Sequence, residues 1–323
     1  MTKRIDWISI LQGWSMLLVV IGHVTLTNKF NDPSTPISTM IETIIYRFHM
    51  PLFILISGFL YHRTAFNSPP LQMLTNKVRR LLIPYFFFSF FTLLLKMSVN
   101  PLMKRPINNP FSEVISILFF PPENPLGEMW FISTLFIIFL LTPIFKSSIQ
   151  NLSHTFIAII FFITLYIFFP SGINIFSLSL VSKYILYFYI GILFSYYQIY
   201  QYINSNLSFL GLLLLFSFSN LLPEIPIISA LIGIIFSFSL CLVISKYIPK
   251  IFLSYRNYTY QIFLMGIFPQ IGIRLLYSKI NIPDMYWVLY IFSIFVGIYI
   301  PVILSSIITK IHYKPFRLLF GLS

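Results

Sequence analysis

The sequence predicts an all-α, polytopic membrane protein with about ten transmembrane helices and both termini in the cytoplasm. Three observations carry that expectation. Hydrophobic residues make up 58% of the chain and charged residues only 9%, against roughly 25% charged residues in soluble domains. Ten apolar stretches approach the length of about 20 residues that a helix needs to cross a bilayer. None shows the period-two alternation of a membrane β-barrel strand.

The first stretch, 7–26, follows Lys3 and Arg4 and carries Gln12 and His23 inside it. It is longer than a signal-peptide core and no small-x-small cleavage site follows, so it is expected to remain as the first helix. The second, 41–61, holds His49, Pro51, Ser57 and Gly58 in its apolar run. A polar loop at 62–78, with Pro69 and Pro70, leads to the third stretch, 81–99. The longest connection, 100–128, contains the apolar patch VISILFF at 114–120 between proline-rich flanks. That patch is too short to span and reads as a re-entrant or interfacial helix, either a lid over a site or a helix lying on the surface. Trp130 opens the fourth stretch, 129–145. The fifth (155–170) and seventh (207–222) are short, and a split or re-entrant helix at either would change the count. The sixth (178–198), eighth (227–245), ninth (258–278) and tenth (286–308) complete the set. Cys241, the only cysteine, lies mid-span in the eighth. It leaves no intramolecular disulfide and no cysteine metal site, and reads as a small buried hydrophobe. Nothing marks a domain boundary within 1–323, and no internal repeat supports an inverted-repeat transporter.

The net charge of +13 does not indicate nucleic-acid binding. Basic residues gather where helices would meet the cytoplasm: Lys3 and Arg4, then Arg63, Lys77, Arg79 and Arg80, then Lys246, Lys250 and Arg256, then Lys310, Lys314 and Arg317. With ten crossings and an inner amino terminus, all of them obey the positive-inside rule. Asp32, Glu42, Glu113, Glu123, Glu128, Glu224 and Asp284 fall on or near the outer side, and only Asp6 lies inside. Acidic residues do not set topology, so that asymmetry is consistent with polar chemistry on the outer side.

Ionisable groups in lipid cost free energy and are functional suspects. Gln12 and His23 are eleven residues apart, about 16 Å along a helix and close to three turns, so both lie near one face. Imidazole ordinarily titrates near neutrality, so a histidine there can take a proton from a hydroxyl and later return one. A packing or interhelical hydrogen-bond role is the other reading of His23. Arg47 and His49 on the second stretch, Lys183 on the sixth and Arg274 on the ninth are further ionisable groups inside spans.

The motifs RIDWISILQGWSMLLVVIGH at 4–23 and FHMPLFILISGF at 48–59 resemble the acyltransferase-3 family of bacterial membrane O-acyltransferases, especially its fucose 4-O-acetylase-like branch. KVRRLLIPY at 77–85 is similar to the family's cytoplasmic Arg-x-x-Arg through Lys77 and Arg80, and Trp130-Phe131-Ile132, after Gly127 and Glu128, to its tryptophan motif. The chain departs from the pattern at three positions. Gln12 stands where the family keeps a basic residue, Ser9 where this branch often has aspartate, and Gly266 in IFLMG where relatives often have histidine.

The resemblance implies an O-acetyltransferase of the bacterial inner membrane. It would move an acetyl group from cytoplasmic acetyl-coenzyme A to a hydroxyl of a cell-surface polysaccharide, lipopolysaccharide or lipid-linked glycan. His23, with Gln12 deeper on the same helix, would form the catalytic pair. Lys77, Arg79, Arg80 and Arg63 would bind coenzyme phosphates by charge-assisted hydrogen bonds, although topology alone also explains such cations. Glu42, Arg47, His49, Ser57, Glu128 and Trp130 would shape the acceptor side, where an acid can hold a hydroxyl and an aromatic face can stack on a sugar. Trp130 reads equally as an interfacial anchor. No tightly bound cofactor, metal or nucleic acid is implied. The expected partners are the bilayer, the carbohydrate acceptor, and either a second copy or polysaccharide-assembly proteins. Two other functions fit the residues: a glycolipid transporter or flippase, and a non-catalytic subunit of a polysaccharide assembly complex.

Overall fold

The computed structural model describes residues 6–24, 26, 36–100, 106–203, 206–219, 225–280 and 285–322. Among them there is no strand, as the hydropathy pattern requires. In chain order the helices are α1 (Asp6–Gly22), α2 (Pro36–Tyr46), α3 (His49–Thr64), α4 (Pro70–Lys77), α5 (Ile83–Ser98), α6 (Pro110–Phe119), α7 (Trp130–Leu140) and α8 (Thr142–Ile149). They continue with α9 (Leu152–Phe168), α10 (Leu178–Tyr196), α11 (Asn206–Ser219), α12 (Pro226–Tyr247), α13 (Thr259–Met265), α14 (Ile267–Ile280), α15 (Tyr286–Thr309) and α16 (Lys314–Leu319).

Every one of the ten apolar stretches contains helix, but length sorts them. Five helical segments are long and apolar enough to cross a membrane: Ile37–Thr64, Pro70–Ser98, Ile175–Tyr196, Pro226–Tyr247 and Tyr286–Thr309. The pair α7 and α8, bent by 53°, makes a sixth if taken as one broken span. The multi-pass helical class therefore stands with five to six spans by length among the described residues. Helices α1 and α9 have 17 residues each and α11 has 14, short of the roughly 30 Å hydrocarbon core at about 1.5 Å per residue. Lys3, Arg4, Asp32, Glu224 and Asp284, which enter the orientation argument, lie outside the described residues.

Prolines explain where the helices break. A proline lacks the N–H that would bond the carbonyl four residues back, and its ring crowds that carbonyl. The turn at Arg47 and Phe48 between α2 and α3 lies three to four residues before Pro51, and the break at Gly266 lies three before Pro269. Pro143 follows the α7–α8 bend, and the Thr142 hydroxyl donates to the Phe139 carbonyl at 2.7 Å, replacing the missing donor. Before Pro84 the chain takes a π-helical turn over Val78–Leu82, where Ile83 N–H bonds Val78 instead of Arg79.

Packing divides the chain into two units, Met1–Phe53 with Gln198–Ile311 and Ile54–Tyr197 with His312–Ser323. In the first, α1 packs against α2, α12, α13 and α15. Its Met16, Val19 and Val20 form a core with Tyr255, Ile262 and Ile298. Trp14 Nε1 donates to Ser237 Oγ at 3.2 Å, and Tyr255 Oη donates to the Gly13 carbonyl at 3.3 Å.

In the second unit, α3 and α10 meet backbone to backbone. A Cβ on Gly58 would fall on the Phe188 carbonyl, and one on Gly191 on the Leu55 carbonyl. Around this contact Phe145, Phe162, Phe188 and Tyr189 pack ring against ring. The Phe320 ring, just past α16, lies against Phe87 and Phe88 of α5. The apolar patch expected at 114–120 belongs to α6, whose first turn is capped by the Asn109 side chain accepting from Phe111 N–H at 3.0 Å. The connection beyond it is pinned to α5. Tyr85 Oη donates to the Ile117 carbonyl at 2.6 Å, and Asn124 Nδ2 donates to Tyr85 Oη at 3.2 Å and Ser89 Oγ at 2.8 Å.

Candidate active site

His23 follows directly on the last residue of α1, and its N–H still bonds the Val19 and Val20 carbonyls at 3.2 and 3.3 Å. Its Nδ1 lies 2.8 Å from the Val19 carbonyl oxygen. A carbonyl only accepts, so Nδ1 carries the hydrogen and the basic lone pair belongs to Nε2. His49, buried at the start of α3, repeats the arrangement with Nδ1 at 2.9 Å from the Ile45 carbonyl. The two imidazoles lie 6.5 Å apart edge to face, and the Tyr46 ring packs 4.9 Å from His49 and 6.1 Å from His23. Sequence reasoning placed His23 and His49 in separate motifs; the fold brings them together.

The end of α1 that presents His23 is held by α14. Gln270 Nε2 donates to the Val20 carbonyl at 2.9 Å, and Arg274 donates to the His23 carbonyl at 3.2 Å. The last carbonyls of a helix need outside donors, and a cation there also meets the negative end of the helix dipole. Gln270 was not singled out in the sequence, although a buried glutamine four residues before an arginine in an apolar helix is a readable sign of such a role. Arg274 was noted only as an ionisable group in a span.

Beside this turn Glu42, Ser38, Tyr286 and Tyr290 line a cavity of about 20 Å³ next to Ile21 and Gly22, room for about one water. Tyr277, Tyr286 and Tyr290 form a core there with Val24 and Leu26. Arg47 is half-buried on the α2–α3 turn, and Gln12 is half-buried on α1, nearly three turns before His23.

Gly266 is not a vacant histidine position. A Cβ there would sit 2.6 Å from the Ile262 carbonyl oxygen and 2.8 Å from that of Gly297. Both obstacles are backbone, so no side chain fits without moving a helix. Gly266→Ala is expected to lower stability by about 1–3 kcal/mol, as overpacking does, read as a lower melting temperature of the detergent-solubilised protein.

The expected donor residues lie in the second unit and differ in their surroundings. Lys77 is half-buried with Nζ 3.7 Å from the centre of the Phe139 ring, a cation–π contact. Arg79 and Arg80 are exposed on the π-helical turn. The α-helical partner of the Arg79 carbonyl would be Ile83 N–H, which is spent on Val78, and its π partner would be Pro84, which has none. Arg63 is exposed in the last turn of α3, 5.9 Å from the Phe59 ring centre. Ser57 is half-buried on α3 one residue before Gly58, a glycine required by the close approach to α10. Glu128 and Trp130 are half-buried at the start of α7, and one face of the Trp130 indole stacks on Tyr184 at 5.3 Å. Lys183 is exposed on α10.

A family model described as an acyltransferase domain matches residues 5–306. Comparison with curated proteins and with solved structures returns no match. That match takes in α1 through most of α15, and with them the motif at 48–59 and all of the motif at 4–23 but its first residue. The chain therefore belongs to the acyltransferase-3 family and is a multi-pass membrane acyltransferase.

Proposed function

We propose that the protein is an O-acetyltransferase that carries an acetyl group from cytoplasmic acetyl-coenzyme A to a hydroxyl of a cell-surface polysaccharide, lipopolysaccharide or lipid-linked glycan. The observation that carries this reading is the His23 imidazole, with Nδ1–H fixed on the Val19 carbonyl and its basic nitrogen directed away from α1. In the proposed reaction Nε2 takes the proton of the acceptor hydroxyl as its oxygen attacks the thioester carbonyl carbon. A C–O bond forms, the tetrahedral oxyanion collapses, and the C–S bond breaks. The imidazolium then returns its proton to the departing coenzyme thiolate. His49 and Tyr46 hold the His23 ring in place, and Gln270 and Arg274 hold the turn that bears it.

Arg79 and Arg80 are the favoured phosphate contacts because they are exposed, whereas Lys77 is half-buried with its ammonium over the Phe139 ring. Because Gln12 stands where the family keeps a basic residue, the donor charge requirement falls to such residues. Acetyl transfer by the purified protein from labelled acetyl-coenzyme A to the surface glycan of its host tests the reading directly. A protein that folds and binds glycan but never moves the label would instead be the non-catalytic assembly subunit.

Arg79→Ala and Arg80→Ala are each expected to raise the KM for acetyl-coenzyme A by roughly 10- to 150-fold, matching a lost charged hydrogen bond of about 1.5–3 kcal/mol. The KM for acceptor should stay constant. A donor KM unchanged from that of the unaltered protein in both variants would return these residues to a purely topological role.

A further inference from the structure

A cavity of about 430 Å³ lies beside the 106–127 connection of the second unit, walled by Lys96, Glu113 and Glu123 and by Pro106, Pro122 and Pro125. We propose that this cavity is a docking subsite for a neutral sugar unit of the acceptor glycan, an inference that rests on the glycan-acetylation reading above. Its volume falls in the range of small-molecule sites, about 300–1,000 Å³, and a single pyranose ring fits with room for water.

The wall chemistry selects among ligands. Two carboxylates and one ammonium offer strong acceptors and a strong donor, the complement of a ring of neighbouring hydroxyls. Among the described lining residues one cation stands with two carboxylates, a set that can both donate to and accept from neutral hydroxyls. The prolines contribute ring C–H surface and no backbone N–H, a lining suited to the C–H face of a pyranose.

The polar groups are also held in place before any ligand arrives. Lys96 Nζ donates to the Pro125 carbonyl at 2.6 Å, which ties α5 to the cavity rim. Glu123 Oε1 accepts from Asn174 Nδ2 at 3.3 Å. Glu113 stands in the first turn of α6, where the helix dipole favours a carboxylate. Asn124, a buried residue of the wall, spends its amide on Tyr85, Ser89 and Leu126 N–H, fixing the segment between the prolines. Ordering this loop therefore requires no ligand, and binding energy is not consumed in forming it.

The test is saturation-transfer NMR on the full-length, detergent-solubilised protein with methyl glycosides of glucose, galactose, N-acetylglucosamine and fucose as probes. At least one is expected to bind at millimolar concentration. Glu113→Gln and Glu123→Gln together should weaken that binding tenfold or more. Gly127→Phe should do the same by obstruction, because a side chain at Gly127 meets open space at the cavity and removes no bond. Melting temperatures identify any variant that has lost its fold, and the glycine variant carries the test if the carboxylate pair cannot be made. Absence of glycoside binding in the unaltered protein, or equal binding in Gly127→Phe, would overturn the proposal. The readout needs no acyl donor, so a failure of acetyl transfer and a failure of this subsite are seen separately.

Discussion

His23→Ala is expected to lower acetyl transfer by about 10²-fold or more, the usual contribution of a general base, while the protein stays folded and inserted. Packing around the residue explains the second half of that result. The side chain lies just beyond α1, and its Nδ1 bonds locally to the Val19 carbonyl at 2.8 Å. The fold of the turn itself is carried by Gln270 and Arg274 from α14. His23→Gln sharpens the test, because the amide can still donate to a carbonyl and fill much of the volume but cannot accept and carry a proton. Loss of turnover in both variants with an unchanged melting temperature is the expected outcome. A lower melting temperature for alanine, rescue by glutamine and normal turnover of the folded fraction would make His23 a packing residue and end the proposed mechanism.

Gly58→Leu and Gly191→Leu are expected to abolish accumulation of folded protein, or to lower its stability by about 3 kcal/mol, the upper end of ordinary overpacking. The reason is geometric. At each position the added Cβ would coincide with a main-chain carbonyl of the facing helix, so no rotamer change relieves the clash. Separating α3 from α10 would open the ring cluster of Phe145, Phe162, Phe188 and Tyr189. It would also disturb the neighbouring bond of His62 Nδ1 with Ser195 Oγ at 2.8 Å. Small residues at such crossings are how membrane helices gain close contact where burial supplies no driving force. Thermal unfolding of alanine and leucine variants should show a graded loss; a wild-type melting temperature for Gly191→Leu would mean that the helices stand further apart.

The class and the positions of the helices were legible because the bilayer punishes unsatisfied backbone and polar side chains over lengths that hydropathy can see. Helix breaks near Pro51, Pro84, Pro143 and Pro269 are equally local, each following from the N–H that proline lacks. What escaped sequence reasoning depends on distant neighbours. Gln270 reaches Val20 across 250 residues of chain, and nothing near either residue announces the pair. The basic cluster at 77–80 looked uniform in sequence, yet Phe139 claims Lys77 while Arg79 and Arg80 remain exposed. Gly266 looked like a missing histidine, but a crowded backbone explains it better than a lost function. His23 was found through its polarity in an apolar run; its pairing with His49 needed the fold.

The place of α1 carries a consequence for biogenesis. The ribosome delivers α1 well before α12, α13 and α15, against all three of which it packs. Residues 54–197, by contrast, form one continuous run within the second unit. That unit gains most of its own contacts while synthesis continues, whereas α1 must wait in the membrane with Gln12 and His23 lacking their final neighbours. The helix that bears the proposed base is thus inserted well before it is secured, and the interval between those events is when a nascent chain of this protein is most open to quality-control proteolysis.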